Sequence, residues 1–184
     1  MTTQHKTDVA IWTIDPSHTL AEFSVRHMMI TTVKGRFGRV QGTLRGAPDD
    51  PLSASAEATI DVSSIDTRDA DRDTHLRSAD FFDVEHYPTM RYVSRTVRPL
   101  GDNQFEAEGD LTIRDVTRPV TLKVTLEGRL VDPWGKDRVG LSAEGKIKRS
   151  DFGLKWNMAL ESGGVLVGDD VRLSLQVEAV REAA

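Results

Sequence analysis

Cysteine is absent from this 184-residue chain. Without thiols it can build no disulfide, no thiolate zinc site and no cysteine nucleophile, and the redox compartment is left undecided. No apolar run is long enough to cross a bilayer as a helix. Positive charge is not in excess: 24 Lys and Arg against 29 Asp and Glu give a formal charge of -5. A nucleic-acid role therefore has no global electrostatic support. Gly-x-Ser-x-Gly, phosphate-loop, dinucleotide and His-Glu-x-x-His patterns are all missing. The polar stretch Met1–Val9 has neither an apolar core nor a small-residue cleavage site, so a cytoplasmic location is expected. A trimmed precursor would instead place the protein in the periplasm or outside the cell.

What the sequence does contain is alternation. Ile11, Trp12 and Ile14 lead into the turn signal Asp15-Pro16-Ser17. Over Leu20–Ile30, Ala21, Phe23, Val25, His27 and Met29 share one face, and this period of two predicts a strand. Val33–Leu44 reads as a second strand, with Gly35, Gly38 and Gly42 marking bulges or bends. A loop is expected over Gly46–Leu52. Then Ala54, Ala56, Ala58, Ile60 and Val62 alternate with polar residues. Further inward rows run from Met90 to Tyr92, Phe105 to Ile113, Val120 to Leu130, Val139 to Ile147 and Val171 to Val177. Asp102-Asn103 and Asp132-Pro133-Trp134-Gly135 supply turns.

About eight strands joined by short turns fit a sandwich or a barrel. The inward rows are rich in Ala and Gly, which under-fill a two-sheet core. Closure at eight strands gives an interior that side chains fill or that holds one small ligand. The expected fold is therefore all-β, an extended antiparallel eight-stranded barrel, with residues 1–10 a flexible tail and 11–181 a single domain. One segment looks helical, at about residues 67–82. There Asp69, Asp71 and Asp73 interleave with Arg68, Arg72 and Arg77 ahead of Phe81 and Phe82, as expected of a cover over one barrel end. Asp66 or Thr67 is the expected cap, with Asp69–Arg72 and Asp73–Arg77 as helical pairs. Asp69, Asp71, Asp73 and Asp80 have calcium-loop spacing, but Thr74 stands where that loop needs glycine. The helical reading is preferred. Trp12, Trp134 and Trp156 are expected to cap the barrel ends. His18, His27, His75 and His86 lie in no metal motif, and no metal is expected.

The chain resembles the YceI-like family of lipocalin-like, polyisoprenoid-binding proteins. The matching pieces begin with Asp15-Pro16-Ser17-His18, Gly35-Arg36-Phe37 and Ser64-Ile65-Asp66-Thr67. They continue through Ser78-Ala79-Asp80-Phe81-Phe82-Asp83, Gly109-Asp110-Leu111-Thr112-Ile113, Arg149-Ser150-Asp151-Phe152-Gly153 and Val167-Gly168-Asp169-Asp170-Val171. No piece is decisive alone; their order and spacing are. The family pattern has glycine after Leu-Thr-Ile, where this chain has Arg114.

The resemblance implies a barrel around an apolar tunnel that binds, stores or carries an isoprenoid-type lipid, either a polyprenyl phosphate or a prenylated quinone. No other cofactor is implied. The partner is the lipid, with no nucleic acid and at most transient membrane contact, and a homodimer is compatible with the sequence. Lining candidates are Phe23, Val25, Met29, Phe37, Ile60, Val62, Phe82, Met90, Tyr92, Phe105, Leu111 and Leu141. Each has plain core packing as its alternative. Lys34, Arg36 and Arg39, with His18 and His27, are candidates for a head group; for the three cations, charge protecting a solvated strand edge is the preferred reading. Two other functions stay open: an enzyme on a small hydrophobic substrate using His18, His27 or His75, and a stress-related interaction protein with a filled barrel.

Overall fold

The computed structural model describes residues 9–183. Residues 1–8 of the expected tail lie outside the described residues, and Ala10 already belongs to the first strand. Strands β1 (Ala10–Ile14), β2 (Leu20–His27), β3 (Thr31–Phe37), β4 (Val40–Ala47), β5 (Asp50–Asp61) and β6 (Ile65–Asp66) precede the helix α1 (Ala70–Arg77). Strands β7 (Thr89–Gly101), β8 (Gln104–Ile113), β9 (Val116–Val131), β10 (Asp137–Lys148) and β11 (Val167–Arg181) follow it.

These strands form one closed antiparallel barrel with eight positions. β1 and β2 share one position, because both pair with β11, and β3 and β4 share the next, pairing with β2 and β1. β5 and β6 share the third. The ring continues through β7, β8, β9, β10 and β11, which closes on β1. The sequence supports such a closed ring because its inward rows alternate with charged outward ones on nearly every strand.

Several elements differ from the sequence reading. The first long strand ends at His27, and Met28 and Met29 turn the chain with φ of 49° and 61°. Met29 is thus 54% exposed and points away from the barrel interior. The expected strand Val33–Leu44 divides at Gly38 into β3 and β4. The bend at Gly38 fits a barrel corner; Gly35 has a different reason. A Cβ there would stand 2.3 Å from Phe23 Cζ, so its absence lets the Phe23 ring lie across β3. The loop expected at Gly46–Leu52 is only a tight turn, and β5 begins at Asp50 despite Pro51.

α1 is shorter than the predicted segment, and Asp69, not Asp66 or Thr67, caps it by accepting from Arg72 N at 3.0 Å. Asp66 and Thr67 are used elsewhere. Asp66 accepts from Arg36, while Thr67 donates through its amide (2.9 Å) and hydroxyl (2.5 Å) to Asp73. Asp73 is therefore buried and committed to Thr67 rather than paired with Arg77. Arg77 instead donates to the carbonyls of Ser63 (3.1 Å) and Ile65 (2.8 Å). Asp69 and Arg72 do approach, at 3.7 Å. The helix has almost no apolar face of its own, so these bonds, together with Leu76, Phe81 and Phe82, attach it to the upper end of the barrel.

The lower end is closed differently. Trp12 packs with Ala10, Ala179, Leu44 and Val139. The Arg129 and Arg181 guanidiniums lie over its ring at 5.9 and 5.8 Å, a favourable cation–π geometry. Asp137 neutralises both arginines, at 2.7 and 3.6 Å. Trp156 sits at the upper end, 4.6 Å from His75 and 5.4 Å from Phe81 by ring centroid. Trp134 caps nothing; it is 80% exposed in the β9–β10 turn.

Candidate functional site

Between the roof and the Trp12 plug the barrel encloses a chamber of about 210 Å³. Its existence follows from residue size. Ala21 and Ala58 stand where a full core would need larger side chains, and Leu173, Leu175 and Val177 of β11 point inward yet keep part of their surface uncovered. Phe23, Val25, Phe37, Ile60, Phe82, Met90, Tyr92 and Leu111 line the chamber. Val62 is fully buried in the turn after β5, in the surrounding core rather than on the wall. Phe105 and Leu141 face inward nearer the lower end, outside the chamber, and Met29 lies in the β2–β3 turn.

The wall is almost entirely hydrocarbon. Its polar members are Thr19, Glu22, Tyr92 and Arg149. Glu22 alternates with inward Ala21 and Phe23 and is exposed, so its carboxylate lies on the outer face. Arg149 is 6% exposed and has no carboxylate within salt-bridge distance among the described residues. It donates from Nε to Gly168 O (2.8 Å), from Nη1 to Leu154 O (2.7 Å) and Trp156 O (2.8 Å), and from Nη2 to Val167 O (3.3 Å). Burial lowers its pKa, although a guanidinium stays charged throughout the accessible range. Its chemical role at the wall is structural: it ties the segment after β10 to the start of β11.

Tyr92 is the other unusual group. Its hydroxyl is buried and, among the described residues, has no hydrogen-bond partner. A Cβ on Gly109 would meet Tyr92 Cζ at 2.5 Å and the hydroxyl at 2.6 Å, so the ring tip occupies the space left by that glycine. Burial pushes the phenol up to about 12. It is therefore a neutral donor at any physiological pH.

None of the expected head-group residues lines the chamber. Arg36 pairs with Asp66 at 3.0 Å, and Arg39 with Asp61 at 3.2 Å, both on the outer surface. Lys34 is exposed on the same face of β3 as Arg36. His27 is half-buried opposite Thr31 at the β2–β3 turn. His18 is exposed and bonded to Asp15 at 3.0 Å. His75 belongs to the roof, where its Nε2 meets Asp80 at 2.9 Å and its ring packs between Phe81 and Trp156. The acid–base groups required by the enzymatic alternative therefore stand outside the chamber wall.

Asp15, His18 and Glu178 bring three ligand-type atoms within 4.8 Å of one another. The Arg138 guanidinium already bonds Asp15 and Glu178, and also Asp132, so this cluster is a satisfied ion network.

Sequence reasoning missed Arg149, because an arginine just past a strand reads as surface. It also missed the β11 wall, although the inward row Val171 to Val177 was visible. The signal for Tyr92 as an unsatisfied donor exists only in three dimensions.

The sequence profile of the YceI-like domain matches residues 12–179. A curated relative, Protein YceI of Escherichia coli O157:H7, is 38% identical over 165 residues, covering 90% of this chain and 83% of that protein. The crystal structure of Burkholderia cenocepacia BcnA superposes with a TM-score of 0.78 at 24% identity, covering 90% of this chain and 98% of that one. A domain from Saccharophagus degradans, described as polyisoprenoid binding and implicated in plant cell wall breakdown, superposes with a TM-score of 0.68 at 14% identity, covering 93% and 98%. At these identities the two structures speak for the fold.

Proposed function

Because the chain belongs to the YceI-like family, we propose that it binds an uncharged isoprenoid-type amphiphile reversibly in the barrel chamber. One observation carries the choice of an uncharged ligand: among the described residues, the chamber offers hydrocarbon and no free cation. The only guanidinium on its wall is held by four main-chain carbonyls. A phosphate brought inside would lose its hydration with no partner, at a cost of several kcal/mol. Of the two ligand classes that the family resemblance suggests, a prenylated quinone fits this wall and a prenyl phosphate does not; a prenyl alcohol, which the resemblance did not name, would fit for the same reason. The polyisoprenoid-binding description of the Saccharophagus domain supports an isoprenoid tail, whatever its head group.

Volume sets the scale of binding. An engineered apolar cavity of about 150 Å³ accepts benzene. In proportion, a chamber of about 210 Å³ holds about eight or nine carbons, short of two isoprene units. At about 0.8 kcal/mol per buried CH₂, that gives about 7 kcal/mol relative to water before association costs are subtracted. Relative to a bilayer the gain is close to zero. A protein of this kind exchanges its ligand with membranes and keeps it out of water in between, as a carrier does.

The test is equilibrium binding of farnesol against farnesyl phosphate. The proposal expects farnesol to bind at least about tenfold more tightly, corresponding to the loss of about 1.4 kcal/mol for the charged head. Equal affinities, or preference for the phosphate, would contradict it.

A further inference from the structure

The barrel has one place where adjacent walls part. β5 and β7 pair only over Glu57–Asp61 and Thr89–Val93, although each strand runs well beyond that ladder. Below it, Asp50–Ala56 keeps β4 on one edge and, among the described residues, has no strand on the other. Arg95–Gly101 likewise keeps only β8. The cause is local. A bulge between Ser94 and Thr96 turns β7 away from β5, and the Ser94 hydroxyl accepts the Ala56 N–H at 2.7 Å at the point of divergence. Each lip carries a proline, Pro51 and Pro99, which has no N–H to offer a neighbouring strand. Leu52 and Leu100, 48% and 51% exposed, add apolar surface to the two lips.

This fork adjoins the chamber. Ala58 and Tyr92, the pair just above it, both line the chamber wall. Below them the inward face continues through Val97, Phe105 and Val124, all half-buried. Tyr92 stands between the two spaces, its tip over Gly109 and its hydroxyl unpartnered. A swing of that ring toward the fork would give the hydroxyl access to water. Among the described residues, the ends of the barrel offer no comparable path. The roof is tied by Arg77 to two carbonyls and by Arg149 to four, and the lower end is filled by Trp12, with the Arg129 and Arg181 guanidiniums over its ring.

We propose that the β5–β7 fork, gated by Tyr92, is the route by which the apolar ligand is exchanged, and that the tail segment too long for the chamber lies in the half-open trough below Tyr92. This deepens the function proposed above and rests on it. The trough supplies what the chamber lacks, since a tail of more than two isoprene units exceeds the chamber volume. Its apolar rim matches a hydrocarbon chain.

The experiment follows exchange of anthraniloyl geraniol, a neutral fluorescent isoprenoid ester, by stopped flow. The chain has no native cysteine, so Ala56→Cys with Ser94→Cys creates a single thiol pair at the fork. Ala56 and Ser94 are the positions that follow the last pair of the ladder, Glu57 and Val93, and they are already in contact through the Ala56 N–H, so they are the pair to cross-link. Oxidation should slow uptake and release together by about tenfold or more, and reduction should restore both. Ala54→Trp, at an exposed position on the β5 lip, should slow both without a disulfide. Arg77→Ala, which loosens the roof, should leave both rates near wild type. Circular dichroism confirms the fold of each variant. Fork variants that exchange at the wild-type rate, or faster exchange only in Arg77→Ala, would overturn the route while leaving the function intact. A wild-type protein that takes up no probe would sink both.

Discussion

Replacing Tyr92 with phenylalanine removes one oxygen from the chamber wall, and the structure predicts that the empty protein becomes more stable. A tyrosine hydroxyl is normally an asset to a core only when it is bonded. Here the hydroxyl is buried, no donor or acceptor reaches it, and the ring tip fills the space left by Gly109. Leaving such a group unpaired costs about 1–3 kcal/mol. The ring, and hence the apolar contact with the chamber, is unchanged by the substitution. The net expectation is a gain of about 1–2 kcal/mol. For a domain of this length that raises Tm by about 2–8 °C. The assay is urea and thermal unfolding of delipidated protein, followed by circular dichroism, with the wild type in parallel. A loss of about 1 kcal/mol or more in Tyr92→Phe would refute the reasoning, because it would show that the hydroxyl has a partner in the empty barrel.

Arg149→Met should destabilise by about 2–4 kcal/mol in urea unfolding. Four bonds from a charged donor are lost, and relief of the buried guanidinium returns only part of that. Arg114→Gly should stabilise by about 1 kcal/mol, since φ at Arg114 is 57° and its buried Nε has no partner. The bond to Phe81 O at 3.3 Å and the contact with the Tyr87 ring are too weak to reverse that sign; thermal melts decide it. Acid unfolding should follow the lower-end carboxylates. Hydrogen bonds from Arg138 hold Asp132, and those from Arg129 hold Asp137, below the ordinary carboxylate value. A carboxyl depressed on folding contributes stability that is complete above its unfolded pKa near 4 and is lost as pH falls through the folded value. The urea midpoint should therefore hold steady from pH 7 to about 5 and drop below about 4, and Arg138→Met should flatten that drop.

The barrel was legible because period-two rows such as Ala54 to Ile60 and Phe105 to Ile113 encode a strand and its inward face together. The family resemblance pointed to the same barrel, while the order of its strands emerged only from the pairings. The chamber wall was partly legible for the same reason, and Phe23, Phe37 and Tyr92 stand where parity places them. Met29 shows the limit of that parity. The pattern runs through the turn, but two methionines adopt left-handed conformations that composition does not forecast. Asp73 shows another. Its helical partner Arg77 is closer in sequence than Thr67, yet burial against Thr67 decides the contact. The fork was not read from the sequence: Pro51 and Pro99 lie far apart in the chain, and only the strand pairing places their segments on the two lips of one opening. Arg114 stands where the family resemblance implies glycine, and its φ of 57° supplies a reason: the backbone turns left-handed there.

Whether the barrel carries an uncharged isoprenoid is decided by mass spectrometry of lipid extracted from protein purified without detergent. The account predicts an uncharged isoprenoid, a quinone or an alcohol, recovered in proportion to the protein. It also predicts that this lipid is lost from a variant whose chamber is filled by Ala58→Phe. A prenyl phosphate as the recovered ligand, or the same lipid retained at the same ratio in the filled variant, would contradict it.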